Sequence, residues 1–170
     1  MHKPSTTLLL RLTRALMISA SLLTSLTTMA SEAPPFSLPD STGKQISLAQ
    51  QQGKVVYLDF WASWCGPCRQ SFPWMNEMRQ KYQSRGLEII AVNLDSKRED
   101  ADKFLSKIPA EFTVLYESSG ATPTAYGVKG MPTSFLIDAK GQILSQHAGF
   151  NSAHKDELEA AIQQALEKQQ

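Results

Sequence analysis

Two cysteines separated by two residues stand where a buried strand passes into an amphipathic helix. The run from Lys54 to Phe60 is β-branched and aromatic, which is typical of a buried strand. From Gly66 to about Arg85, apolar side chains recur every three or four residues, which predicts a helix with one apolar face, and Gly86 follows as its C-cap. The segment Cys65-Gly66-Pro67-Cys68 is therefore expected at the start of a helix that follows a central strand.

This position favours redox chemistry. At a helix start, unpaired amide hydrogens and the helix dipole stabilise a thiolate, which is the form that attacks disulfides. Cys65 is thus the candidate nucleophile, and Cys68, one helical turn further on, is close enough to resolve a mixed disulfide. Pro67 is tolerated because an N–H in the first turn has no intrahelical partner. A disulfide that closes so small a loop constrains little of the unfolded chain and therefore adds little stability. A redox role explains the cysteine pair better than a structural role.

The alternative for two cysteines at this spacing is half of a zinc site. A zinc site needs about four ligands. The remaining candidates in the expected mature chain, His147 and His154, lie far along the sequence and show no paired ligand spacing. We therefore expect a redox pair, with no bound metal and no cofactor.

A carboxylate and a proline outside the cysteine segment suit a redox site. Asp59 lies in the middle of the apolar strand, six residues before Cys65. Burial raises the pKa of a carboxyl, which suits a group that accepts and returns a proton near neutral pH; the alternative is an exposed strand residue. A cis bond before Pro132 would place the Met131 backbone against the cysteines, ready to hydrogen-bond an extended substrate segment, although proline at a strand start is also ordinary.

The three tryptophans have different expected positions. Core packing explains Trp61 best, and it is also the plain explanation for Trp74 on the following helix. Trp64 is adjacent to the nucleophile, so we expect it in the rim of a substrate-binding surface together with Gly66 and Pro67.

Strands and helices alternate along the rest of the chain until a final hairpin and helix. This order predicts the α/β class, with a mixed central sheet of four or five strands, helices on its faces and an added amino-terminal β-hairpin. The predicted strands are Phe36–Leu38, Ile46–Leu48, Lys54–Phe60, Leu87–Leu94, Phe112–Tyr116, Ser134–Asp138 and Gln142–Ala148, and the predicted helices are Gly66–Arg85, Arg98–Ile108, Thr122–Tyr126 and Ser152–Lys168.

The first thirty residues predict export. They contain three basic residues and no Asp or Glu, then an apolar run from Ala15 to Thr28, and then the small-residue pattern Thr28-Met29-Ala30. We expect a signal peptide over residues 1–30 and one domain over residues 31–170 in the periplasm. The alternative is an uncleaved membrane anchor, although the run is shorter and richer in hydroxyls than the roughly 20 apolar residues that span a bilayer.

The charge of the expected mature chain argues against two classes of partner. Cleavage removes three of the seventeen basic residues and none of the sixteen acidic ones, which changes the formal net charge from +1 to −2. This leaves neither a basic footprint for nucleic acid nor a polybasic attraction to an anionic membrane surface. We expect a monomer without a nucleic-acid partner.

Several motifs together resemble a known superfamily. The segment DFWASWCGPC at residues 59–68, the helix proline Pro73 and the segment GMPTSFLID at residues 130–138 resemble thioredoxin. The opening Phe36–Asp40 and an insert from about Ser96 to Gly127 resemble the exported TlpA/ResA-like branch, which includes cytochrome c maturation reductases. The likeness runs over nearly all of residues 33–168.

This resemblance implies a thioredoxin fold with a central insert. It also implies a thiol–disulfide oxidoreductase that reduces disulfides in exported proteins and is kept reduced by a membrane electron donor of the DsbD/CcdA type. In these terms Cys65 is the attacking thiol, Cys68 the resolving thiol, Pro132 the cis-proline and Asp59 the buried proton relay. Many relatives carry Asn in place of Asp59 and Glu in place of Ser71, and these differences favour a reductase broader than one dedicated to cytochrome c maturation.

Two other functions use the same cysteines. A disulfide-donating oxidase differs only in the direction of electron flow, and an oxidising compartment favours it. The Gly-Pro dipeptide between the cysteines resembles that of reducing thioredoxins and favours the reductase. A copper-binding module would use thiolates and Met131 as soft Cu(I) ligands, but metal carriers of this fold generally separate their cysteines by three residues and add a histidine.

Overall fold

The computed structural model describes residues 31–169, so the expected signal peptide at residues 1–30 lies outside the described residues. Within the described chain, no helix combines the length and the apolar character needed to cross a membrane. The strands are β1 (Ser31–Glu32), β2 (Ser37–Pro39), β3 (Gln45–Ser47), β4 (Val55–Trp61), β5 (Leu87–Asn93), β6 (Thr113–Tyr116), β7 (Thr133–Ile137) and β8 (Gln142–Ala148). The α-helices are α1 (Cys68–Tyr82), α2 (Arg98–Leu105), α3 (Ala121–Ala125) and α4 (Lys155–Glu167).

The central sheet is mixed and has the strand order β1-β8-β7-β4-β5-β6. Strands β4, β5 and β6 are parallel, whereas β7 and β8 run antiparallel to their neighbours. Strands β2 and β3 form the predicted amino-terminal hairpin as a separate sheet. The sequence predicted four or five central strands and the structure has six, because Ser31 and Glu32 pair with the edge of β8. A strand of two residues is too short to show periodicity.

Strand β4 is buried along its whole length because both of its faces are covered. Tyr57 and Trp61 belong to the apolar cluster under α1, α2 and α4, whereas Leu58 and Phe60 belong to the cluster on the hairpin side. A strand covered on both faces gives a continuous apolar run instead of an alternating one, as the sequence shows. Since side chains alternate along a strand, Asp59 lies on the same face as Tyr57 and Trp61.

Helix α1 buries the predicted face, with Phe72, Met75, Met78 and Tyr82 in the core. It continues as a 3₁₀ turn to Arg85 and ends at Gly86, whose φ of 98° only glycine adopts readily. The helix begins at Cys68 and not at Gly66 as predicted: the first bond to a carbonyl four residues back runs from the Ser71 N–H to the Pro67 C=O.

The segment from Ser96 to Gly127 adds α2, β6 and α3 between β5 and β7. Helix α2 was predicted to extend to Ile108 but ends at Leu105, and residues 106–108 follow as turns, in which the Lys107 and Ile108 N–H groups both donate to the Phe104 C=O before Pro109. Phe104 of α2 lies 4.8 Å from Trp61 and 5.0 Å from Phe72, measured between ring centroids. These contacts hold α2 beside the junction between β4 and α1.

Candidate active site

The cysteine pair lies at the edge of the sheet where β4 ends. The chain leaves β4 at Trp61, forms a turn in which the Cys65 N–H donates to the Ala62 C=O at 3.0 Å, and enters α1 at Cys68. The two cysteines form a disulfide, with their Cα atoms 5.3 Å apart. The structure thus brings the two predicted redox residues into a bond.

The two sulfurs differ in exposure and in contacts. Cys65 is 4% exposed and Cys68 is completely buried. Although Cys65 precedes the helix, the Cys68 N–H donates to the Cys65 sulfur at 3.2 Å, so a free amide of the helix start reaches it directly. Trp64 is 72% exposed, and Gly66 and Pro67 are exposed as well. A partner approaching this surface therefore reaches Cys65 first.

The Met131–Pro132 peptide bond is cis, which confirms that part of the prediction. Phe60 near the end of β4 pairs with Thr133 at the start of β7, so Pro132 lies at the sheet edge from which the cysteine loop leaves. The Pro132 C=O accepts from the Gly149 N–H at 2.7 Å. Within the described chain, the Met131 N–H and C=O have no backbone partner, and its half-buried side chain packs against the cluster that contains both cysteines.

Asp59 is buried in the sheet, which rules out the alternative of an exposed strand residue. It is 2% exposed and lies between Ala91 of β5 and Ser134 of β7. Its Oδ2 is enclosed without a hydrogen-bond partner. Burial disfavours the charged carboxylate and raises the pKa of Asp59 well above its ordinary value. The group therefore holds its proton to higher pH than an exposed aspartate does.

Polar groups adjoin Asp59 on the same face of the sheet. The Tyr57 hydroxyl donates to the Ser134 Oγ at 2.9 Å, and burial, followed by the charge of Asp59, raises the pKa of Tyr57. On β8, His147 Nε2 lies 3.1 Å from His154 Nδ1. In the sequence, these histidines show no paired ligand spacing. The folding of β8 back against the start of α4 brings them together, and no sequence spacing signals this contact.

A second carboxylate, Asp95, fixes the loop before Cys65. It accepts hydrogen bonds from the Ser63 N–H and hydroxyl, both at 2.9 Å, and from Asn93 Nδ2 at 2.8 Å. The Ser63 C=O in turn accepts from Arg69 Nη2 at 3.3 Å. Sequence analysis missed Asp95, although a carboxylate just after the carboxyl end of a parallel strand was an available signal.

The tryptophans occupy the positions that the sequence favoured. Trp61 is fully buried between Phe72 and Phe104, and Trp74 packs against Tyr57 and Phe150. Only Trp64 among the three is exposed.

Ser71 is buried, and its hydroxyl donates to the Cys68 C=O at 3.2 Å. Among residues 31–169, no group of three or more His, Cys, Asp or Glu side chains is placed to hold a metal ion.

Comparison with known proteins identifies the family. The sequence model described as Redoxin matches residues 28–162. The chain belongs to the Redoxin family. It is similar to the thiol-disulfide oxidoreductase ResA of Bacillus thuringiensis subsp. konkukian, with 39% identity over 128 residues, which cover 75% of this chain and 73% of the relative.

Solved structures agree with this assignment. A Chlorobium tepidum protein described as a thiol:disulfide interchange protein DsbE is 59% identical and superimposes with a TM-score of 0.79, covering 81% of this chain and 96% of that one. A Neisseria meningitidis protein described as a thioredoxin is 33% identical with a TM-score of 0.71, covering 81% of this chain and 91% of that one. The predicted thioredoxin fold and the ResA/TlpA-like branch of thiol–disulfide oxidoreductases are confirmed.

Replacing Asp59 with Asn is expected to remove a pH dependence of stability. The folded pKa lies above the unfolded value of about 3.9, so the folded protein keeps a proton that the unfolded chain loses. Stability therefore falls as the pH rises from about 4 towards the folded pKa, by about 1.4 kcal/mol per unit of pKa difference. Asp59→Asn should gain stability relative to wild type over this window.

Urea unfolding of the oxidised proteins at about pH 4 and about pH 8 measures the effect, because disulfide-bonded cysteines do not titrate. The difference in free energy of unfolding between Asp59→Asn and wild type should shift in favour of the variant between the two conditions. Glu167→Gln, at an exposed position, is the control and should show no such shift. An equal shift in both variants would contradict the burial of a protonated Asp59.

Proposed function

We propose that this Redoxin family member is an exported thiol–disulfide reductase that acts on disulfides of other exported proteins. Cys65 is the nucleophile and Cys68 the resolving thiol. The observation that carries the proposal is the disulfide at the start of α1, in which one sulfur keeps a small exposed area and receives a helix amide while the other is sealed. The ResA and DsbE relatives support the same chemistry.

The first step begins from the reduced enzyme with Cys65 as a thiolate. The Cys68 N–H and the free amides at the start of α1 stabilise the negative sulfur. The thiolate attacks one sulfur of the substrate disulfide. A bond forms between Cys65 and the substrate, the substrate S–S bond breaks, and the departing thiolate takes a proton from solvent.

The second step releases the substrate. The Cys68 thiol gives its proton to the Asp59 carboxylate, and the resulting thiolate attacks the Cys65 sulfur. The bond between the cysteines forms, and the second substrate sulfur leaves as a thiolate that solvent protonates. Two electrons pass from the cysteines to the substrate. Burial raises the pKa of Asp59 above that of an exposed carboxyl and so brings it closer to the pKa of a thiol. Asp59 is therefore suited to accept the proton of Cys68.

The substrate segment binds across the exposed surface around Cys65. Trp64, Gly66 and Pro67 form one side of this surface. On the other side, the Met131 N–H and C=O are free to pair with an extended chain in the manner of an added strand, and Pro132 presents them at the sheet edge. Backbone pairing accepts many sequences, which suits an enzyme that acts on several proteins.

The direction of electron flow and the compartment complete the proposal. Residues 1–30 act as a cleaved signal peptide, and the domain works in the periplasm as a monomer. A membrane electron donor of the DsbD/CcdA type reduces the Cys65–Cys68 disulfide after each turnover. Cytochrome c maturation is one task of such a reductase. The buried Asp59 and Ser71, which differ from many relatives of that specialised kind, support a broader range of substrates.

The Cys68→Ser variant is expected to accumulate mixed disulfides on Cys65, because the resolving thiol is absent. Expressed with its leader and trapped with acid, it should appear as a set of adducts that dithiothreitol releases, and mass spectrometry identifies the partners. The double variant Cys65→Ser/Cys68→Ser is the control and should carry no adducts. A Cys68→Ser protein that stays unmodified in a mixture of oxidised exported proteins would exclude the proposed mechanism.

The redox potential of the cysteine pair is expected to lie nearer to the value of thioredoxin, about −270 mV, than to that of DsbA, about −120 mV. Equilibration of the purified domain with glutathione buffers or with a thioredoxin of known potential, followed by acid trapping, measures it. A value close to that of DsbA would reverse the direction and make the protein a disulfide-donating oxidase.

A further inference from the structure

A groove with basic walls opens beside the cysteine loop. It has a volume of about 340 Å³ and is lined by Ser63, Arg69, Asp100, Lys103, Phe104 and Lys107. Three of these side chains are cations and one is a carboxylate. Within the described chain, none of the three cations makes an ion pair, whereas Arg98 of the same helix is paired with Asp102. The groove is therefore a site of excess positive charge on a mature chain whose expected net charge is negative.

One cation of the groove is held in a fixed position. The Arg69 guanidinium donates to the Ser63 C=O at 3.3 Å and lies over the Phe104 ring at 5.2 Å from its centroid. Its other N–H groups are left to bind a ligand. A planar guanidinium that is already oriented loses little freedom on pairing with a carboxylate, so Arg69 is better suited to recognition than a mobile surface lysine.

The location of the groove relates it to the reaction. Ser63 precedes Cys65 by two residues and Arg69 follows Cys68 directly, so a protein joined to Cys65 places the residues near its own cysteine over this surface. We propose that the groove binds acidic side chains close to the disulfide of the substrate protein, an inference that rests on the proposed reductase function. Complementary charge of this kind raises the association rate and selects among partners.

Paired peptide substrates test this specificity. Two disulfide-bonded peptides are compared that differ only in three residues next to one cysteine, which are Asp in one peptide and Ser in the other. At low salt, kcat/KM of the wild-type enzyme should be about tenfold higher for the acidic peptide, and the ratio should approach one at about 0.5 M salt as the charges are screened. The variant Lys103→Glu/Lys107→Glu should lower the ratio to one or below.

The control variant Lys44→Glu/Lys140→Glu makes the same charge change at exposed positions outside the groove and should keep the ratio of the wild type. Equal kcat/KM for both peptides with the wild-type enzyme would overturn the groove assignment while leaving the reductase function in place. Failure of the wild-type enzyme to reduce either peptide would overturn the reductase function itself.

A different observation concerns a row of polar side chains across the sheet. Asp59 of β4 lies opposite Ser134 of β7, and Ser134 lies opposite His147 of β8. Directly opposed residues of antiparallel strands point to the same face, and neighbouring strands are about 4.8 Å apart. The three side chains therefore form a polar row on one face of the sheet, leading from the buried carboxyl towards the edge of the sheet.

The hydrogen-bonding groups of the row lie on the β7 side of Asp59, whose own Oδ2 has no partner. Ser134 accepts from the Tyr57 hydroxyl, whose titration responds to the charge of Asp59. A cavity of about 10 Å³ adjoins these two hydroxyls and is lined also by Ser145 and His147. Its size matches about one water molecule. The Tyr57, Ser134 and Ser145 hydroxyls and His147 are the polar groups of a lining that is otherwise formed by Leu136, Leu158, Ala161 and Ile162. His147 and the half-buried His154, in contact at 3.1 Å, complete the row where it reaches solvent.

We infer that this row conducts the proton of Asp59 to solvent, a step that also rests on the proposed function. After Asp59 takes the proton of Cys68, the proton passes through the hydroxyls and the cavity water to the neutral His147 imidazole and leaves by way of His154. Asp59 is then a carboxylate again, and the proton count is unchanged. His147 is a positioning residue, since it acts through Asp59 and does not touch the cysteines.

The charged groups near His147 are consistent with this role. Burial and then the charge of His154 lower the pKa of His147, and Glu157 at the start of α4 opposes them. The imidazole is thus neutral near pH 7 and free to accept a proton, while a nearby carboxylate favours its transient charging.

Replacement of His147 in two backgrounds tests the row. Single-turnover reduction of a substrate disulfide is followed across neutral pH. His147→Gln should slow resolution about fivefold on a background that contains Asp59 and should have no further effect on the Asp59→Asn background. Added imidazole should restore part of the lost rate, which a purely structural defect would not allow. Gln146→Ala, on the opposite face of β8, is the matched control and should behave as the wild type.

An equal loss of rate from His147→Gln with and without Asp59 would overturn the proton row, as would an unchanged pH profile. Neither result would affect the reductase function, which is judged by the total reduction of substrate and not by the rate of the proton step.

Discussion

The passage of the chain from β4 into α1 decides where chemistry occurs. Trp61 at the end of the strand and Phe72 in the helix pack against each other at 4.8 Å, and only residues 62–67 connect the two elements. Both ends of the connection are thus held by the core. A turn of this length must leave the sheet edge and return at once, so Cys65 keeps a small exposed area while Cys68 enters the helix. The contact of the Cys68 amide with the Cys65 sulfur follows from the same turn. Packing and redox chemistry therefore have one structural origin.

The buried carboxyl of Asp59 opposes the stability that this core provides. Its Oδ2 has no partner, and a charged form there is costly because the surrounding side chains are apolar. An apolar residue on β4 would be more stable, so the acid needs a role that only a titrating group fills. The neighbouring position on β5 is Ala91, which offers no countercharge, whereas Ser134 on β7 offers a hydroxyl. The polar neighbour of Asp59 across the sheet is thus on β7, away from the parallel half of the sheet.

Sequence patterns predicted those parts of the structure that depend on neighbours along the chain. The apolar run of β4, the face of α1 and the final hairpin are local periodicities, and all three are present. The failures involve one distant pairing and the exact ends of helices. Strand β1 exists only because β8 offers an edge, and the start of α1 depends on which carbonyl the Ser71 amide reaches. In the site, the cysteines and the cis bond at Pro132 follow from motifs. The bonds of Ser63 to Asp95 and the contact of the histidines join residues from separate elements, and spacing along the chain does not identify such partners.

The two partners that the proposed function requires must use the same surface around Cys65. A substrate protein and an electron donor must reach the same sulfur in turn, so neither complex can be long-lived. Backbone pairing at Met131 and contact with the exposed Trp64 accept almost any extended segment and therefore give little selection. Charge in the groove beside Arg69 provides selection without large buried area, because long-range attraction raises the rate of encounter more than the lifetime of the complex. An enzyme built in this way discriminates among its partners when they arrive and releases each of them once the disulfide has moved.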